Sequence, residues 1–321
     1  MRRLSMKVGV IGIGKMGENH VQTYLSLQND CELVGIYDTD EEKRNEIANK
    51  YQVKPFHSLN NLLRAVDAVS IAVPTEFHYK VGLSCIEHNV HMLMEKPITS
   101  TVDQARDLID RAKKAGIKLQ VGHIELYNPL IQFLKNKLQN EEIIEIMHFR
   151  MSPYDDRLKD IDVVKDLMIH DLYILDELLT DSYGELYTVG KVINGIPEHA
   201  VTIAQSLSGV IVHLTASFKS SRKIRTIKVL TKDALFETDI LNNVMKISRS
   251  IQEDTSSASV PIMETIQFDH SIQPLNVQLL DFINCIKNDQ KPNVPGEEGM
   301  KILILTNKIS ESIIHSNKNK D

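Results

Sequence analysis

Apolar positions in the first part of the chain come as short runs separated by stretches of helical spacing. Runs at 8–11, 32–37, 68–73, 91–94 and 118–121 are mostly apolar and bounded by polar or turn-forming residues, the pattern of strands buried on both faces. Between them, 18–28, 41–51, 77–88 and 102–115 repeat apolar residues at helical spacing, with Val21, Tyr24 and Leu25 along one side of the first. Gly116 follows the last helix as a suitable C′ residue. This alternation predicts βαβ units, right-handed crossovers and a parallel sheet covered on both faces.

Beyond about residue 123 the rhythm changes. A helix is predicted at 129–138, a strand at 144–151 and a largely helical segment at 162–179, whose first residues can instead be a loop. Strand patterns then follow at 185–193, 199–205, 210–218, 224–231, 234–238 and 244–247, some strictly alternating, as in VIVHLTASF at 210–218. Consecutive alternating strands predict a large, mostly antiparallel sheet with one face on helices and the other open to a partner. The polar stretch 250–259 reads as a mobile loop, 276–287 and 297–315 as closing helices, and 316–321 as a frayed tail. The fold class expected is therefore α/β: a doubly wound parallel sheet over residues 1–122, followed by an α+β domain over 123–321 with a large open-faced sheet suited to oligomerisation.

Composition adds limits. A length of 321 residues suits two domains, and 42% hydrophobic with 25% charged residues is ordinary for a globular protein. A net charge of −6 without a basic, aromatic-laced stripe gives no reason to expect nucleic acid. Cys31, Cys85 and Cys285 are widely spaced and odd in number, which fits reduced thiols in a cytoplasmic protein and argues against disulfides or a metal site. The basic MRRLSMK start is not followed by an h-region, and Met6 is an alternative start. No run approaches the length of a membrane helix.

The chemistry begins at VGVIGIGKMG, where Gly12, Gly14 and Gly17 form G-x-G-x-x-G at a strand-to-helix turn. Gly12 permits the tight turn, Gly14 leaves room for a pyrophosphate, and Gly17 lets helix and strand pack closely. The helix starting near Lys15 presents free N–H groups to the anion, so 12–17 (Gly12, Ile13, Gly14, Lys15, Met16, Gly17) is the candidate dinucleotide turn. Asp38 closes the second strand, where a carboxylate accepts bonds from the adenosine ribose, while Thr39 or Asp40 can cap the next helix. That carboxylate favours NAD over NADP, and Arg44 is the nearby cation working against the preference. Gly12, Asp38, Pro74 and Lys96 all fall at or just past strand carboxyl ends, where such sheets bind ligands.

Glu95-Lys96-Pro97 follows the fourth strand. Pro97 keeps Lys96 extended, and a lysine there can bond the nicotinamide ribose or the reacting hydroxyl. Further on, Asp166 and His170 are i and i+4 on a predicted helix and share a face, while Asp171 points about 100° away. An Asp–His pair holds the imidazole and leaves its other nitrogen for a substrate hydroxyl. Among the 12 histidines, His57, His88 and His91 read as surface or packing residues and His20 as packing near the cofactor.

In their order, GIGKMG, Asp38, AVPTEFHY, EKP and DLMIHD resemble the glucose–fructose oxidoreductase/inositol dehydrogenase family, often called Gfo/Idh/MocA, over essentially the whole chain. The resemblance implies a Rossmann domain, an open-faced α/β domain whose sheet packs on another subunit, and hydride transfer between a sugar or polyol carbon and NAD(P). It assigns Lys96 to cofactor and substrate, Asp166 to the reacting geometry and His170 to the hydroxyl proton. It sets Pro74, Thr75, His78 and Glu95 on the cofactor side. VGHIELYNP and the stretch before DLMIHD are most similar to members acting on nucleotide-linked amino sugars, which makes His123, Tyr127 and Tyr173 candidate substrate contacts. Those relatives usually carry Arg-Phe at Leu126-Tyr127, and many family members carry an acid at Tyr173. Two other functions share the pattern: a NAD-dependent glycosidase without net redox, and a non-catalytic nucleotide sensor. A homodimer or homotetramer through the C-terminal sheet is expected.

Overall fold

The structure is a computed structural model that describes residues 5–318 apart from 156–157, 159, 180–181, 252–259 and 270. It divides into two compact units. The first joins the chain up to Ile124 with Gln273–Leu303, and the second joins Glu125–Ile272 with the residues from Ile304 onward.

In the first unit, β1 (Met6–Ile11), β2 (Cys31–Tyr37), β3 (Ala68–Ile71), β4 (His91–Glu95) and β5 (Leu119–Gly122) form a parallel sheet in the order β2-β1-β3-β4-β5. Helices α1 (Lys15–Ser26), α2 (Glu41–Tyr51), α4 (Thr75–Glu87) and α5 (Val102–Lys114) connect the strands, as their apolar spacing requires. A short α3 (Leu59–Leu63), too brief to show a period, is started by Ser58 accepting the Asn61 N–H at 3.2 Å. Asp40 caps α2 by accepting the Lys43 N–H at 3.0 Å. Gly116 takes φ +70° after α5.

Helix α8 (Pro274–Lys287) also belongs to this unit. Its Leu275, Leu279, Phe282 and Ile283 lie on one face at helical spacing and join Val21 and Tyr24 of α1 in a single buried cluster. The first unit is thus discontinuous in sequence, which one cut after residue 122 does not describe.

The second unit contains α6 (Pro129–Leu138), α7 (Ile169–Leu178), most of α9 (Gly296–Lys318) and an eight-stranded sheet ordered β13-β12-β11-β10-β6-β9-β8-β7. The strands are β6 (Ile143–Met151), β7 (Tyr183–Ile193), β8 (Ile196–Ser206), β9 (Ile211–Ser217), β10 (Ile224–Thr231), β11 (Ala234–Asp239), β12 (Val244–Ile251) and β13 (Val260–Gln267). Among the described residues of this sheet only β6 and β9 pair in parallel; the other pairs are antiparallel. The alternation has its predicted consequence. His148, Arg150, Val212 and Leu214 are buried on one face of the sheet, while Tyr187, Val189, Ile203 and Ile211 stand exposed on the other.

Two expectations are corrected. Strand β13 was not anticipated; Pro261 near its start suits its edge position, where an N–H is not needed for a second ladder. Residues 316–318 continue α9 instead of fraying. The segment 162–179 is largely helical as expected, with a feature the spacing does not announce: Val164–Met168 form a π-helical turn that leads into α7. Asp162 fixes the entry to that turn. Its Oδ1 accepts the Val164 N–H at 2.8 Å, its carbonyl accepts the Asp166 N–H at 3.0 Å, and its Oδ2 accepts the Ser310 hydroxyl of α9. The loop expected at 250–259 falls almost wholly on 252–259, outside the described residues. Among the described residues no helix is long and apolar enough to cross a membrane.

Candidate active site

The glycine turn is built as the sequence requires. Gly12 has φ +81°, and a Cβ there would lie 2.7 Å from the backbone of Ala72 and Val73. A Cβ on Gly17 would lie 1.9 Å from the Gly12 carbonyl oxygen, so only glycine lets α1 start this close to β1. A Cβ on Gly14 would meet nothing within 4 Å; its α-carbon faces open space at the N-terminus of α1, which has no side-chain cap. That is the geometry of an anion cradle.

Asp38 locks the turn as well as bordering it. Its Oδ2 accepts the Ile13 N–H at 2.8 Å and its Oδ1 accepts the Asp40 N–H at 3.0 Å. Arg44 is buried: Nη1 donates to the Asp38 carbonyl at 2.8 Å, and Nη2 lies 3.5 Å from His57 Nδ1. A cavity of about 710 Å³ opens here, lined by Gly12, Gly14, Asp38, Pro74 and also Tyr37, Leu59, Phe77 and Val81. Sequence reasoning missed the last four. Phe77 and Val81 are i and i+4 on α4, so the helix that starts at a strand end was the available signal.

The remaining residues of the turn do other work. Ile13 is buried in the core, Met16 packs against it, and Lys15 is exposed. Thr75 opens α4. His78 does not line the cavity. It is buried with Nε2 2.9 Å from the Val73 carbonyl oxygen and Nδ1 2.9 Å from that of Pro97, tying the loop after β3 to the loop after β4. Burial outweighs both carbonyls and lowers its proton affinity.

Glu95 and Lys96 stand at the end of β4, in register with β5 at Gly122. Glu95 Oε1 is 3.0 Å from His20 Nε2, and a Cβ on Gly122 would lie 2.9 Å from the same oxygen. Glycine at 122 and histidine at 20 therefore leave this carboxylate one place to sit. The Lys96–Pro97 peptide is cis. His123 follows β5 almost wholly buried; burial, and next the Lys96 charge, drive its proton affinity well down. A neutral imidazole and a lysine ammonium thus share this strand end.

In the second unit Asp166 and His170 are half-buried, one in the π-turn and the other in the first turn of α7. Tyr127 and Tyr173 are buried, as is Leu126. Asp171 belongs to a charged network that sequence reasoning did not find. Its Oδ1 accepts Arg150 Nε–H at 2.8 Å and lies 3.4 Å from His148 Nδ1, while Arg150 Nη1 donates to Glu125 Oε1 at 2.9 Å. Burial pushes the Asp171 carboxyl up, but the Arg150 charge and the His148 contact overcome it and hold the group below its usual range. Alternate positions 148 and 150 on one face of β6 were the signal available in the sequence. Among the described residues no group of three or more His, Cys, Asp or Glu could hold a metal ion.

Comparison with known proteins fits this construction. Residues 6–123 match the model of the oxidoreductase family with an NAD-binding Rossmann fold, GFO/IDH/MocA. The chain is 30% identical to UDP-N-acetylglucosamine 3-dehydrogenase of Acidithiobacillus ferrooxidans over 94% of its length and 95% of that protein. A solved structure of that enzyme superposes with a TM-score of 0.90, covering 98% of this chain and 99% of the other. It is also similar, at 24% identity over 90% of its length and 92% of the relative, to 4-carboxy-2-hydroxymuconate-6-semialdehyde dehydrogenase of a Sphingobium species. Myo-inositol 2-dehydrogenase of Thermotoga maritima is 23% identical over 94% of each chain. The chain belongs to the Gfo/Idh/MocA oxidoreductase family.

Proposed function

We propose that this protein is an NAD-dependent dehydrogenase acting on a secondary alcohol of a sugar-type substrate, a nucleotide-linked amino sugar before a free polyol. The observation that carries it is the cavity whose walls include Gly12, Gly14 and Asp38, in a chain similar along its whole length to a UDP-N-acetylglucosamine 3-dehydrogenase. Gly12–Gly17 and the N-terminus of α1 hold the pyrophosphate, and Asp38 accepts the adenosine ribose hydroxyls. When bound, NAD supplies the hydride acceptor. His170 takes the proton of the substrate hydroxyl, and Asp166 keeps its imidazole oriented. Lys96 stabilises the negative charge developing on that oxygen. Thr75, Glu95 and His123 support the cofactor and substrate side around Lys96, and Tyr127 and Tyr173 shape the substrate side of the second unit.

NADH fluorescence tests this reading, recorded over sugars, polyols and UDP-sugars with NAD and NADP in parallel. The expected result is NADH accumulation with UDP-N-acetylglucosamine exceeding that with myo-inositol. A lack of turnover across the panel sinks the proposal, and sugar release without NADH transfers it to a glycosidase. Arg44 is buried with Nη1 on the Asp38 carbonyl, away from solvent, so NAD is preferred to NADP. Asp38→Asn keeps an acceptor for the Ile13 N–H but removes the charge. It is expected to shrink the NAD/NADP preference by about tenfold, the worth of one charge-assisted hydrogen bond.

The exposed Tyr187, Val189, Ile203 and Ile211 are a further part of the proposal. Tyr187 pairs with Ile203 in the β7–β8 register, and their open face is the surface through which the chain forms a homodimer or homotetramer.

A further inference from the structure

Among the described residues of the second unit, buried and half-buried arginines are matched with carboxylates: Arg150 has Asp171 and Glu125, and Arg249 has Glu141. Arg225 breaks this rule. It is half-buried, and among the described residues no carboxylate oxygen lies within 4.0 Å of it. Its bonds go to neutral oxygens: Nη1 donates to the carbonyls of Met151 at 2.5 Å and Ile224 at 2.7 Å, and Nη2 donates to Ser152 Oγ at 2.9 Å.

Its place is as unusual as its pairing. Arg225 is directly opposite Arg150 across the β10–β6 pair, and like charges facing each other across a sheet oppose folding. Arg150 is neutralised by its own carboxylates, but Arg225 keeps its charge. Burial, and next the Arg150 charge, weaken its hold on a proton, while Asp171, Glu125 and Asp166 act on it with the opposite sign. Its cross-strand neighbour Arg150 bonds Asp171, the residue after His170, which sets Arg225 on the stretch of sheet next to the start of α7. Met151 ends β6 and Ile224 begins β10, so the group sits at a strand end and not in the middle of the sheet.

A guanidinium has five N–H donors. Three are used, so Nε–H and one Nη2–H have no acceptor among the described residues. The three bonds made hold the plane still, so the remaining donors are oriented in advance. A rigid, charged, two-donor edge matches a phosphoryl oxygen pair. Leu126, at the position where relatives carry arginine, supplies no cation of its own.

We propose that Arg225 receives a phosphoryl group of the substrate, so that the sugar oxidised at His170 carries its phosphate as a sugar phosphate or a nucleotide diphosphate. This rests on the assignment of Asp166 and His170 to proton transfer. It makes neutral polyols poor substrates, and it names the residue that rejects them.

The test uses the full chain saturated with NADH, because the glycine turn of the first unit is itself a phosphate site. Calorimetric titration of the wild type compares UDP-N-acetylglucosamine with N-acetylglucosamine, and glucose 6-phosphate with glucose. At least one phosphorylated member is expected to bind 10-fold or more tightly than its neutral partner, from about the strength of one or two charge-assisted bonds. That advantage is expected to vanish in Arg225→Gln and to return in part in Arg225→Lys, with NADH affinity unchanged in both. Equal affinities within both pairs overturn the proposal on the wild type alone, whatever the variants do. An advantage that persists in Arg225→Gln overturns it too. His170→Gln separates the two assignments: turnover kept in that variant removes the proton-transfer role, while the phosphoryl advantage still reports on Arg225.

Discussion

Replacing His170 with alanine is expected to lower kcat by about 10²–10⁴-fold, the usual contribution of one positioned acid–base group. The cofactor should bind as before, because the glycine turn and Asp38 lie in the first unit whereas His170 lies in the second. Alanine keeps the first turn of α7 helical, so the loss is chemical and not conformational. His170 is half-buried just after the π-turn, so part of its side chain is open to a substrate. Steady-state rates and an NADH fluorescence titration on the same preparation measure both quantities. Turnover within tenfold of wild type removes His170 from proton transfer. A parallel loss of NADH affinity instead shows that the substitution disturbed more than the imidazole.

Arg150→Met should unfold the second unit far more easily, by about 3–5 kcal/mol, because it strands a buried carboxylate. Asp171 is nearly inaccessible and its ionised form depends on Arg150. Methionine matches the length of the side chain but gives neither the Nε bond to Asp171 nor the Nη1 bond to Glu125. Replacing both members, Arg150→Met with Asp171→Leu, should recover most of that loss, since an apolar pair of similar volume needs no compensation. Urea midpoints of the two variants test this; a single variant as stable as the double one refutes it. The pH dependence has a fixed sign. A carboxyl held below its ordinary value stabilises the fold fully above the unfolded value of about 4, and that contribution is lost as pH falls through the lower folded value. The wild type should therefore lose this increment only in strong acid, and Arg150→Met should lack it.

Much of the first unit was legible because its signals are local. Gly12, Gly14 and Gly17 mark a turn within one strand and one helix, and Asp38 follows at the end of the next strand. Lys96 could be placed at a strand end by counting runs. What was not legible depends on the partner across space. The apolar face of α8 predicts a helix but not that Val21 and Tyr24 will cover it. Residues 148 and 150 alternate as any half-buried strand does, and nothing before folding says that a charge there is answered by Asp171. Arg225 looks like a surface arginine until its register with Arg150 is known. Pro261 hid β13 because a proline weakens the reading of a strand, although an edge strand accepts it. The family resemblance set His78 on the cofactor side, and the carbonyls of Val73 and Pro97 against its two ring nitrogens could not be read from the sequence.

The π-turn at Val164–Met168 bears on how sites of this kind change over time. Counted in turns, it is a regular helix with one residue too many, the ordinary result of a single insertion. Deleting one residue there would leave a continuous helix and swing everything before it by about 100° relative to His170. The four-residue interval between Asp166 and His170 therefore does not encode a direction by itself; the extra residue does. Two chains can share the letters of this motif and still aim the acid differently, and a comparison that allows no gap in this segment would record them as the same.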